Sequence, residues 1–315
     1  MAPIHHFDHG WITPTVSYVL SVLGSMLGLT CAVRFRSAVG RGERVWWLVL
    51  ASLSIGGTAI WSMHFVAMMG FSVVGTPIRY DVGLTAASAL LAVIAVGVGL
   101  AIALLGKGAQ NFRIVTGGVI AGLGVAGMHY TGMAAMKLNG EVTYGMTRVG
   151  LSIGIAVVAA AVALWLAVTV RRPLVIFAAA LVMGIAVNGM HFTGMTAMSV
   201  DTHPSEGQLP GATASGMLVP IGLAVVFGII GLAYALMSAP TEEDRAAAAY
   251  LAQRRDEAAA RIPQQPGPTG RFGVGTPRPT GQTSGPNPGA PQPGVPKSGL
   301  SSGAWTYRDR DRSSR

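Results

Sequence analysis

Three stretches of this chain align without gaps: Met63-His64-Phe65-Val66-Ala67-Met68, Met128-His129-Tyr130-Thr131-Gly132-Met133 and Met190-His191-Phe192-Thr193-Gly194-Met195. On a helix, a histidine and the methionine four residues on stack as neighbours on one face. Met136 and Met198 continue that row a turn later, where the first copy has Phe71. A glycine stands seven residues before each histidine, at Gly57, Gly122 and Gly184. Small residues recur five and two before it and six after it: Ala59, Ser62 and Gly70; Gly124, Gly127 and Ala135; Ala186, Gly189 and Ala197. At about 100° per residue these last positions fall roughly opposite the histidine, so each helix has a small-residue packing face and a His/Met face.

Thioether sulfur is a soft, uncharged donor and imidazole a borderline one. A cluster of His64, His129 and His191 with Met68, Met133 and Met195 therefore suits copper, especially Cu(I), better than oxygen-seeking magnesium or calcium. Zinc sites rarely use methionine. A haem held by His or His/Met axial ligands is a second chemical option. Tyr130, Thr131 or Thr193 would be the partner that fixes a ring tautomer. The same pattern also arises in a purely structural repeat, since methionine commonly fills irregular gaps. His5, His6 and His9 with Asp8, and His203 beside Asp201 and Glu206, carry less weight because they lie in a terminus and a loop.

These residues need elements to carry them. The 315 residues are 51% hydrophobic and 11% charged, against about a quarter charged in soluble domains. Seven stretches, about 12–33, 45–71, 83–106, 113–137, 149–170, 173–199 and 216–238, are long enough to cross roughly 30 Å of hydrocarbon as helices and too long for barrel strands. The first runs straight into Arg34 and Arg36, as a retained span does and a signal peptide does not. The net charge of +9 lies in short loops and the C-terminal segment, which argues against nucleic acid as a partner. A single cysteine, Cys31, excludes an internal disulfide or a Cys-rich zinc site.

Arg34, Arg36, Arg41, Arg44, Lys107, Arg113, Arg171 and Arg172 occupy one set of loops, against Arg79, Lys137 and Arg148 in the other. The positive-inside rule then places the N-terminus outside and the C-terminus in the cytoplasm. Spans two, four and six run outward, with the motifs at their outer ends. A parallel threefold repeat sets equivalent side chains at one depth around an axis along the membrane normal.

The expected fold is all-α: a bundle of seven transmembrane helices with a threefold internal two-helix repeat. Residues 1–11 form the outer N-terminus, 12–238 the membrane domain and 239–262 a cytoplasmic helical extension opened by Thr241-Glu242-Glu243-Asp244. Residues 263–315 are rich in Pro, Gly, Gln, Ser and Thr, the composition of a disordered tail. Nothing after residue 240 reads as an enzyme domain, and no acid or lysine lies deep in a span to serve as general acid or base.

Met128-His129-Tyr130-Thr131 and its two relatives resemble the MHYT-domain membrane proteins of bacteria, over about residues 12–238. The resemblance implies a sensory domain in the cell membrane, with copper near the outer face and oxygen, carbon monoxide or nitric oxide as stimulus. Carried onto this chain, it adds Met63, Met128 and Met190 to the candidate ligands. The family's tyrosine survives only as Tyr130, with Phe65 and Phe192 in the other copies. Many relatives fuse the unit to cyclic-dinucleotide or DNA-binding output domains, so a separate cytoplasmic signalling partner is implied here. A copper transporter is the rival from another class, although the inner halves offer few soft ligands beyond Met26, Cys31 and Met183. Single cysteines introduced into the 72–82 and 200–215 loops should react with an impermeant thiol reagent applied from outside; protection of both overturns the orientation.

Overall fold

The computed structural model describes residues 3–5, 8, 10–203, 209–238 and 242–260. Among them seven helices are long and apolar enough to cross a membrane: Ile12–Ser37, Arg41–Met69, Val82–Leu105, Gln110–Ala134, Met146–Thr169, Pro173–Met195 and Ala214–Met237, here spans one to seven. The chain is a multi-pass membrane protein. A polar, alanine-rich helix, Glu242–Ala260, follows. The segment 263–315, His6, His9 and the capping residue Thr241 lie outside the described residues.

Spans one to six close into a ring in chain order, with span six returning to pack on span one. Each motif span, two, four and six, thus sits between two odd-numbered neighbours. Span seven stays outside the ring, mainly against the middle of span two, and buries only Met217 and Leu232.

With lipid outside, close packing rather than the hydrophobic effect must hold such helices together. Glycines make that possible at two contacts in particular. A Cβ on Gly24 of span one would lie 2.8 Å from that of Ala59 in span two. One on Gly122 of span four would lie 2.8 Å from the Ala156 carbonyl of span five. A buried polar cluster ties span six to span one: Ser17 Oγ donates to Asn188 Oδ1 (3.1 Å), and Asn188 Nδ2 donates to Ser21 Oγ (3.0 Å) and to the Gly184 carbonyl (2.8 Å).

Two of the arginines that set the loop-charge asymmetry also finish helices. Arg36 donates to the Val168 and Val170 carbonyls at the end of span five, and Arg113 to the Ile102 and Ala103 carbonyls at the end of span three. They supply donors where a helix C-terminus lacks them.

At the opposite end three short antiparallel pairs repeat with the spans: β1 (Ile4–His5) with β2 (Ser72–Val73), β3 (Arg79–Tyr80) with β4 (Met136–Lys137), and β5 (Gly140–Tyr144) with β6 (Met198–Thr202). Each links the strand after a motif to a strand just before an odd span. The loop sequences gave no strand signal, so these pairs are an addition to the all-α expectation. Asp81 caps span three by accepting from Leu84 N (3.1 Å) and pairs with Lys137 (3.3 Å); the Leu84 amide first, then Lys137, holds its carboxyl below the usual range.

Span two departs from a regular helix. Leu53–Ser62 is a π-helix between two α-helical stretches, Arg41–Ser52 and Met63–Met69. Its wider turn shifts the register of the glycine face. Gly56 makes the tight approach, where a Cβ would stand 2.8 Å from the Ala92 carbonyl and the Val93 Cα, while one on Gly57 would meet only Val93 Cγ2 at 3.8 Å. Gly122, which the repeat aligns with Gly57, makes the equivalent approach in span four; in span two the π-helix moves it by one residue. Gly56→Ala should therefore cost about 1–3 kcal/mol of stability through overpacking, with Gly57→Ala nearly neutral, in thermal unfolding of the purified protein. The reverse order would show a regular α-helix.

Candidate metal centre

His64, His129 and His191 converge inside the ring at the strand end of the bundle, 2%, 0% and 1% exposed. Their rings stand edge to face as a near-equilateral triangle, with centroids 4.9, 5.0 and 5.1 Å apart. The Nδ1 atoms point inward: His64 Nδ1 lies 2.9 Å from His191 Nδ1 and 3.1 Å from His129 Nδ1. Lone pairs held so close repel unless a proton or a cation sits among them.

The ring edges behind those atoms are held by glycine. A Cβ on Gly132 would collide with His64 Nε2, and one on Gly194 with His129 Nε2. His64 and His129 are thus each seated on the fifth motif residue of the next motif span. The glycine recurred in two copies, Gly132 and Gly194, and that was the available signal for this role. The first copy has Ala67 instead, 4% exposed.

The i+4 methionines Met68, Met133 and Met195 are buried in a cluster that also holds Phe65, Tyr80 and Met198 and runs into the strands. Burial pushes the Tyr80 phenol above its usual range, so it stays protonated and donates to the Met68 carbonyl at 3.4 Å. Met128 and Met190 instead join the inner core with Ile55, Ile60 and Val125, and Met63 is 1% exposed.

Tyr130 does not serve the rings as the sequence suggested: its hydroxyl bonds Ser152 Oγ of span five at 2.7 Å. Among the described residues Nε2 of His64 and of His129 has no hydrogen-bond partner, so neither Thr131 nor Thr193 reaches those atoms. His5 lies in β1 opposite Ser72, and the His203 amide donates to the Asn139 carbonyl; neither adjoins the triad.

The three matches to the family model described as "Bacterial signalling protein N terminal repeat" cover residues 57–117, 122–180 and 184–252, each beginning at a repeat glycine. The chain belongs to the MHYT family. It is 37% identical to the bifunctional diguanylate cyclase/cyclic di-GMP phosphodiesterase MucR of Pseudomonas aeruginosa, over 69% of this chain and 32% of that protein. Signaling protein YkoW of Bacillus subtilis is 32% identical over 61% of this chain and 24% of its own length. The cyclic di-GMP phosphodiesterase NbdA of Pseudomonas aeruginosa is 32% identical over 58% and 24%. The chain therefore spans a third or less of the length of these MHYT relatives. No solved structure matches it.

Three nitrogens each about 2.0–2.1 Å from one tetrahedral ion stand about 3.3 Å apart, close to the separations observed. Small outward motions of the rings admit an ion on the axis. A porphyrin does not fit between rings this close, which removes the haem option at this triad. Gly132→Ala and Gly194→Ala should each cost about 1–3 kcal/mol in thermal unfolding, because the added methyl meets a packed imidazole. Gly154→Ala, whose Cβ would meet nothing within 4 Å, should be neutral.

Proposed function

We propose that this MHYT bundle is a sensory protein of the bacterial cell membrane, with copper held by Nδ1 of His64, His129 and His191. The convergence of three buried imidazole nitrogens carries this reading. An imidazole in a membrane interior is costly, and a set of three aimed at one point is recovered most simply by a shared cation. The adjoining Met68, Met133 and Met195 make the surroundings soft, which favours Cu(I) over harder ions. Bound there, copper supplies a Cu(I)/Cu(II) couple and an affinity for diatomic ligands such as oxygen, carbon monoxide or nitric oxide.

The protein's own residues hold the rings. Gly132 and Gly194 fix the ring edges, and spans two, four and six each contribute one nitrogen, so a shift of any ring is a shift of a helix. Ligands or redox change bias such a bundle only through different affinity for two helix arrangements. The output is read on the cytoplasmic side, with the N-terminus outside; the signalling relatives support a signalling role. The chain has no catalytic task in this reading.

Transport is the weaker alternative. Away from the strands, the space beneath the triad is lined mostly by hydrocarbon, with Met183 and Met190 as its soft donors and no further histidine or cysteine, a sparse onward path for a cation.

Metal analysis of the purified protein should find one copper per chain. Losing an outer partner of a ligand typically costs 10–100-fold in metal affinity, so His64→Ala, His129→Ala or His191→Ala should each cost at least about tenfold. His5→Ala should retain the metal. Full copper retention in the triple histidine variant would refute the site.

A further inference from the structure

Ile60, Val125 and Val187 each stand four residues before a motif histidine, one turn further from the strands on the same helix. All three line one internal cavity of about 40 Å³. A space bounded by the equivalent residue of every motif span lies on the axis of the ring, one turn below the level of the three imidazoles. Met190, the neighbour of His191, lines it too. The opposite side of the triad is filled by the methionine cluster and closed by the strands.

The lining is hydrocarbon and thioether with one exception, the hydroxyl of Ser25 on span one. That residue is fully buried, and among the described residues its Oγ has no hydrogen-bond partner. The volume exceeds the roughly 10–15 Å³ that a water needs, but a buried water also needs two to four polar partners. One hydroxyl does not provide them. Dry apolar cavities accept small apolar guests, and this one can offer such a guest a single hydrogen bond.

There is also a way in. Ala159 of span five with Met183 and Ala186 of span six line both this cavity and a larger apolar groove of about 490 Å³ on the outside of the same two spans. The position of Ala186, five before the histidine, is occupied in the other copies by Ala59 and Gly124. Ala59 packs on Gly24, and a Cβ at Gly124 would collide with Ala95, so glycine closes both contacts tightly. At the third, alanine faces the cleft from both sides. Gly150 and Gly154 widen the groove, since a Cβ on either would meet nothing within 4 Å.

We propose that the axial cavity is a binding pocket for one small, uncharged, weakly polar molecule, entered from the lipid through the cleft between spans five and six. The guest sits between the residues one turn below the triad, on the side away from the strands, with Ser25 Oγ as its one polar contact. Such molecules concentrate in hydrocarbon, so the membrane itself supplies the pocket. Its existence is independent of the sensor reading, which it uses only for the guest's purpose.

Xenon, apolar and of similar size, is the probe. Binding is followed by 129Xe NMR on the full chain in lipid nanodiscs, metal-free and copper-loaded. Wild type should show one saturable site. Ala160→Leu or Ala163→Leu, which fill the cavity from span five, should weaken it at least tenfold, and Ser25→Ala, which keeps the apolar volume, should retain it. Gly154→Leu should slow xenon exchange several-fold with the bound population unchanged. No saturable site in wild type, or full binding in both filling variants, overturns the pocket. Unaltered exchange in both Gly154→Leu and Ala186→Leu overturns the lipid route. Xenon binding without copper binding sinks the metal reading alone, and copper binding without xenon binding sinks the pocket alone.

Discussion

Three imidazoles with ring centres 4.9–5.1 Å apart, deep in an apolar bundle, are the constraint on which the remaining architecture depends. Each is a polar group that lipid cannot satisfy. They must therefore face one another, which requires the three helices that carry them to share a depth and direct the same face to the axis. A ring of six spans, alternating motif and spacer, meets that requirement. Two-span repeats set the common depth, and the odd spans keep the motif helices parallel without letting them collapse on the axis.

Glycine turns this geometry into a packed object. The contacts of Gly24, Gly56 and Gly122 bring backbones together between neighbouring spans, whereas Gly132 and Gly194 let a helix backbone press against an imidazole edge. The two roles differ in consequence. Substitution at the first set pushes helices apart, while substitution at the second displaces the chemistry and leaves the ring order intact. His64 and His129 are thus supported from behind by shape, and the hydrogen bond that usually orients a ligating histidine is missing at their Nε2 atoms among the described residues.

Much of this was legible in the residues. Span lengths, the inward His/Met face and the common depth of His64, His129 and His191 follow from periodicity and the cost of polar groups in lipid. Three features did not follow. The π-helix at Leu53–Ser62 leaves the motif spacing from His64 unchanged on paper, so Gly57 looked equivalent to Gly122 when Gly56 does its work. Asn188 has no counterpart in the motif pattern, yet it bonds Ser17 and Ser21 and so closes the ring between spans six and one. The three strand pairs are too short to show alternation. Their register comes from the repeat, which returns every motif end beside the start of an odd span.

The departures from threefold symmetry fall at different places and act differently. An exact repeat would give three equal contacts around the axis and seal the cavity on every side. In the first copy, the π-helix lets Gly56 close on span three, and its outer face is the surface that span seven touches. In the third, Ala159 and Ala186 leave the ring loosest between spans five and six. In a six-membered ring, span five lies opposite span two. The side that opens toward lipid is thus across the axis from the side that meets the one helix outside the ring, with the histidines between them. Duplication alone makes a symmetric bundle; these few substitutions give it an entrance and a direction.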